Sequence, residues 1–149
     1  MKMRFLAPIF RYFLGLLFVS TGIGKLLDNR GFAEIIASYK LGIAYEFLLP
    51  IGLAVSLVEL WVGLNLLHGR ALPTNASMTL IFHLGYASLA TVTLYRDISL
   101  DNCGCFGVFW ARPLTQMTVV EDLMLSGVSL CYCLLLRYSG RNAKNSAPF

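Results

Sequence analysis

The chain has 149 residues, of which 57% are hydrophobic and only 13% charged, with a mean hydropathy of +0.68. That apolar share lies above ordinary soluble usage and argues against a domain whose main solvent is water. The formal net charge of +4 does not form a basic stripe interleaved with aromatics, so no nucleic-acid partner is expected.

The first apolar run, Phe5 to Leu27, is long enough to cross a hydrocarbon core, which needs about 20 helical residues. It is too long for a signal core and no Ala-x-Ala site follows it, so it reads as a span. Asp28 to Glu46 then carries Phe32, Ile35, Ile36 and Tyr39 at spacings that share one helical face, which predicts an amphipathic segment along the membrane interface. A second span runs from about Phe47 to Leu67. Gly69 and Pro73 end it and start the next, forming a helical hairpin with a third span from Ala76 to Leu94. The fourth runs from Val119 to Leu136, and Thr118-Val119-Val120-Glu121 predicts a capping box at its start. A polar tail follows from Ser139. The expected fold is an all-α integral membrane protein, a four-transmembrane-helix bundle making one domain over 1–138 with a cytoplasmic tail over 139–149.

An even number of spans puts both termini on one side. That side carries Lys2, Arg4, Arg70, Arg137, Arg141 and Lys144 without an acid. The other carries Lys25, Arg30, Lys40, Arg96 and Arg112 among seven acidic residues. Since the side richer in Lys and Arg stays inside, both termini are expected in the cytoplasm and the connection before the fourth span outside. Asn75-Ala76-Ser77 fits a glycosylation acceptor but then falls on the wrong side.

That outer connection holds Asp101-Asn102-Cys103-Gly104-Cys105-Phe106-Gly107. Two thiols flank a glycine that frees the backbone to bend, and a disulfide across one residue closes a small ring of the kind that is labile and oxidising. Redox exchange by Cys103 and Cys105 is therefore one reading; a static clip, unpaired small residues, or half of a metal site are the others. Zinc would need four Cys or His ligands, and neither His68 nor His83 is near, so no metal is expected. Cys131 and Cys133 point about 200° apart on a helix and read as apolar filling.

A lone carboxylate inside a span is costly and needs a partner. Counted from the cytoplasmic side, Arg11, Glu59 and His83 fall at similar depths, which predicts an intramembrane polar cluster with an Arg11–Glu59 pair. A packing role for that pair is the plain reading, a proton path or quinone head-group site the functional one. Gly15, Ser20, Gly22 and Gly24 in the first span, and Gly85, Ala87, Ser88 and Ala90 in the third, read as close-packing surfaces. Lys25 is expected to snorkel outward, and Trp61, Tyr95 and Trp110 to sit at interfaces.

Gly15-Leu16-Leu17-Phe18, Gly22-Ile23-Gly24-Lys25-Leu26, Phe32-Ala33, Tyr39, Glu59-Leu60, Gly63-Leu64 and Cys103-Gly104-Cys105-Phe106-Gly107 together resemble the MauE family of methylamine-utilisation proteins, within the broader DoxX-like four-helix membrane proteins. The resemblance covers about Phe10 to Leu136. It implies a protein of the bacterial inner (plasma) membrane with a periplasmic cysteine loop, working beside a thioredoxin-like periplasmic protein while methylamine dehydrogenase matures. It makes Cys103 and Cys105 the exchanging pair and marks Lys25 and Glu59 as motif positions of unassigned role. Two functions compete: a membrane thiol-disulfide redox protein, or a non-catalytic accessory subunit of a larger membrane redox complex. A quinone is one candidate electron sink, although no sequence motif points to it.

Overall fold

A computed structural model describes the backbone of residues 3–145 and the side chains of residues 6–140. Lys2 and the end of the tail lie outside the described residues, as do the side chains of Arg4, Arg141 and Lys144. Five helices follow in order: α1 (Met3–Leu27), α2 (Asn29–Ser38), α3 (Tyr45–His68), α4 (Leu72–Tyr95) and α5 (Gln116–Asn145). The four long ones are apolar and long enough to cross a membrane. Leu16, Leu57, Trp61, Ile81 and Leu134 stand exposed on their outer faces, the arrangement lipid solvates. The chain is an all-helical protein with four candidate spans, as its hydropathy predicts.

Which helices pack together is less obvious. α1 lies along α3 and α4 along α5, while α3 and α4, although joined by a short turn, touch far less. Glycine explains the first pairing. A Cβ built on Gly22 would lie 2.8 Å from the Leu60 nitrogen, and one on Gly63 2.7 Å from the Val19 nitrogen, so these backbones meet where a side chain has no room. Gly15 belongs to the same seam, whereas Ser20, Gly85 and Ser88 are exposed and pack nothing. The turn after α3 is a Schellman motif: Gly69 takes φ 73°, its N–H bonds the Leu66 carbonyl, and the Arg70 N–H bonds that of Asn65.

Three boundaries differ from the sequence reading. α4 starts at Leu72, and Asn75 is fully buried, its Nδ2 donating to the carbonyls of Arg70 and Ala71. α5 starts at Gln116 rather than Val119: Thr118 Oγ1 accepts the Thr115 N–H, so the cap sits three residues earlier, and Glu121 bonds Arg112 instead. α5 also continues to Asn145, so the polar stretch from Ser139 begins as helix.

Two apolar clusters flank a polar layer. One gathers Leu14, Phe18, Val62, Leu66, Ala76, Tyr132 and Cys133; the other gathers Tyr39, Ala90, Leu100, Cys103 and Leu114. Along α4, His83 and Tyr86 fall between Ala76 and Ala90, and along α5 Asp122 and Ser129 fall between Val119 and Tyr132.

Candidate functional site

The loop from Arg96 to Thr115 folds back over the ends of α1 and α2. The Cys103 N–H donates to the Arg112 carbonyl at 2.7 Å and the Leu114 N–H to the Leu100 carbonyl at 2.9 Å, pinning the two arms together. Between them Gly104 and Gly107 take φ values of 74° and 71°, and the Asn102 side chain accepts the Gly104 N–H and donates to the Gly107 carbonyl. This tight turn lies on α1. A Cβ on Gly107 would stand 2.4 Å from the Gly24 oxygen, and one on Gly24 2.5 Å from the Phe106 oxygen. Gly24-Lys25 and Cys103-Gly104-Cys105-Phe106-Gly107, far apart in sequence, are one packed unit.

α2 completes the cradle. Asp28 caps it by accepting the Gly31 N–H at 2.9 Å. Phe32 and Tyr39 on its apolar face are buried, so that face turns inward instead of along the lipid interface. The Tyr39 hydroxyl donates to the Cys103 carbonyl at 2.7 Å, and Phe32 and Ile35 press on Gly104. Arg96 holds the end of α2 by donating to the carbonyls of Tyr39 and Lys40.

Both loop cysteines are free thiols. Cys103 is buried and Cys105 half-buried, with the Cys105 N–H directed at the Cys103 sulfur, 3.5 Å away. The two sulfurs titrate unequally. The Cys105 thiol donates a hydrogen bond that favours ionised Cys103, and with the Cys105 N–H and the Arg112 charge it lowers the Cys103 pKa to about 7 against the opposing pull of burial. Cys105, as that donor, is pushed far above the ordinary thiol range, and burial adds to the rise. Cys103 is therefore the thiolate of the pair.

Below the loop lies an ion pair other than the expected one. Lys25 Nζ donates to both Glu59 oxygens at 2.6 and 2.7 Å and to the Tyr86 hydroxyl at 3.1 Å, and that hydroxyl also bonds Glu59. Lys25 and Glu59 are each 1% exposed. Lys25 does not snorkel outward, and Arg11 does not reach Glu59. Arg11 bonds the Tyr12 hydroxyl and lies against Gly69. The physical reason is register: α1 and α3 run antiparallel with Gly22 against Leu60, which puts Arg11 beside Gly69, about 15 Å along the axis from Glu59. Depths counted from the span ends missed how far α1 projects past the end of α3. The Lys25 side chain instead leans back toward its own N-terminus, as helical side chains do, and reaches Glu59. His83 joins neither residue. It is buried, bonds Ser129 Oγ at 3.1 Å and packs edge-on against Phe18. Of the predicted trio Arg11, Glu59 and His83, only Glu59 and His83 border a common space.

Two cavities adjoin the cysteines. One, of about 180 Å³, is lined by Lys25, Tyr39, Tyr86, Cys103, Cys105 and Asp122 beneath a mostly apolar wall. The other, of about 340 Å³, is lined by Glu59, His83, Tyr86, Cys105, Arg112 and Asp122. Tyr86, Cys105, Thr118 and Asp122 border both. The sequence reading missed Tyr86 and Asp122. Asp122 carried a signal, an acid following Glu121 inside the last helix, whereas Tyr86 is one aromatic among many in an apolar span. Cys131 is exposed and Cys133 buried, on opposite sides of α5 and away from the loop.

The family model described as "Methylamine utilisation protein MauE" matches residues 3–136. No curated protein and no solved structure matches the chain.

Proposed function

The chain belongs to the MauE family, and from that premise we propose that it is a membrane thiol-disulfide redox protein that oxidises dithiols of a thioredoxin-like periplasmic partner. The observation that carries this is the unequal pair on a glycine-built turn: a buried cysteine favoured as thiolate and a half-buried cysteine hydrogen-bonded to it. In the disulfide form, a partner thiolate attacks the sulfur of the half-buried Cys105 and Cys103 leaves as the stabilised thiolate. The second partner thiolate then attacks the partner's own sulfur in that mixed disulfide. The partner gains a disulfide, and Cys103 and Cys105 are left reduced, having taken two electrons and two protons.

Both termini lie in the cytoplasm in this reading and the cysteine loop faces the periplasm of a bacterial inner membrane, where disulfides persist. Methylamine dehydrogenase maturation is the setting that the family suggests. The competing reading is a non-catalytic accessory subunit of a larger redox complex. Trapping thiols in cells with a mass-tagged maleimide, before and after reduction, separates the two. A pair that stays in one redox state while partner maturation proceeds overturns the exchange reading. So does unchanged maturation when Cys103 and Cys105 are both replaced by serine in an assembled protein.

A further inference from the structure

An oxidising pair must pass its electrons on, and the smaller cavity has the features of a place where that happens. It is lined by both thiols and by Lys25, Tyr86 and Asp122, which form a polar floor, and its lining reaches the surface at Leu41 and at Ile51 and Val55 on α3. Ile51 and Val55 lie within a candidate span, so a mouth between them faces hydrocarbon rather than water. Its volume of about 180 Å³ exceeds the roughly 150 Å³ of an apolar cavity known to accept a benzene ring. Asp122 is 8% exposed, and no side-chain hydrogen bond or salt bridge engages its carboxylate among the described residues, so it borders the cavity without a partner.

We propose that this cavity receives the head group of a membrane quinone, which reoxidises the Cys103–Cys105 dithiol. The proposal rests on the exchange reading above. The reaction balances without another reactant: the two thiols lose two electrons and two protons and form the S–S bond, and the quinone takes both and becomes a quinol. Entry from the lipid explains an apolar mouth, and proton transfer to two quinone oxygens explains a polar floor.

The test uses the reduced protein in lipid discs and a fully substituted ubiquinone with a short alkyl tail, whose ring cannot be alkylated by thiols. Ultraviolet absorbance is expected to show one quinol formed per cysteine pair. Ala90→Phe, which fills the cavity, is expected to slow this at least tenfold while leaving the reduction of the oxidised pair by dithiothreitol unchanged. Val55→Trp narrows the mouth from the lipid side and serves if the first variant does not fold. An azido-quinone on the unaltered protein is expected to label the α3 peptide that carries Ile51 and Val55. Exchange with dithiothreitol but no quinol formation, or label spread evenly over all outer faces, overturns the quinone site alone. Failure of exchange as well overturns the redox reading beneath it.

Discussion

The Lys25–Glu59 pair gives the sharpest test of the structure. Each side chain is almost wholly removed from solvent, and the ammonium has two short bonds to the carboxylate and a third to Tyr86. Replacing Lys25 by Met leaves Glu59 with only the Tyr86 hydroxyl, and replacing Glu59 by Leu strands the ammonium. Breaking one side of such a pair costs about 3–5 kcal/mol because the survivor is a buried unpaired charge. The double replacement, Lys25→Met with Glu59→Leu, removes both charges and is expected to cost less than the two singles together, with a coupling of about 2–3 kcal/mol. Arg11→Leu, in the same background, is expected to show no coupling to Glu59→Leu. Denaturant unfolding in a mild detergent, followed by circular dichroism, measures the unaltered protein and the five variants. Additive Lys25 and Glu59 effects, or a coupling to Arg11 in their place, refute the register derived from the glycine seam.

Iodoacetamide labelling of Cys103 is expected to follow an apparent pKa of about 7, falling as the thiolate is protonated below that pH, while Cys105 stays unlabelled well above it. Cys105→Ala removes the thiol donor, so the Cys103 midpoint moves up toward the ordinary thiol value, read in the same assay. Gly107→Ala must adopt φ near 71° and drive a methyl into the Gly24 carbonyl; it is expected to lift the loop, cost more than about 1 kcal/mol, and speed maleimide labelling of Cys103. Arg112→Gln breaks a partly exposed bridge to Glu121 and is expected to change stability by no more than about 1 kcal/mol, yet to raise the Cys103 midpoint slightly.

Apolar length alone made the spans legible, because a bilayer sets one requirement that every spanning helix must meet. The compact turn at Cys103-Gly104-Cys105 stood out for a similar reason: two cysteines around a glycine are conspicuous in the sequence without a partner. Pairing between helices was not legible. Lys25 near the end of one span and Arg11 inside it are both plausible partners for Glu59 until the register of α1 against α3 is known, and that register is set by which glycines meet. The inward turn of α2 was hidden for a different reason. An apolar face suits a lipid interface and a protein cradle equally, and only the loop from the far end of the chain decides between them.

The close contact of Gly24 with Gly107 ties the cysteine loop to the ion pair. Lys25 follows Gly24 directly, so any displacement of the turn at Gly104–Gly107 bears on the backbone that holds the ammonium against Glu59. Closing the Cys103–Cys105 disulfide moves the two sulfurs from hydrogen-bond to covalent distance within that turn. The turn has little freedom to absorb the change: Asn102 bonds it on both sides, Tyr39 holds the Cys103 carbonyl, and α1 lies beneath it. Oxidation is thus expected to shift the Lys25–Glu59–Tyr86 cluster, on which the floor of the smaller cavity depends. Solution NMR of protein labelled with ¹³C at tyrosine detects this as a Tyr86 ring shift between reduced and oxidised protein that is lost in Gly107→Ala. A Tyr86 signal indifferent to the redox state of the pair refutes the coupling.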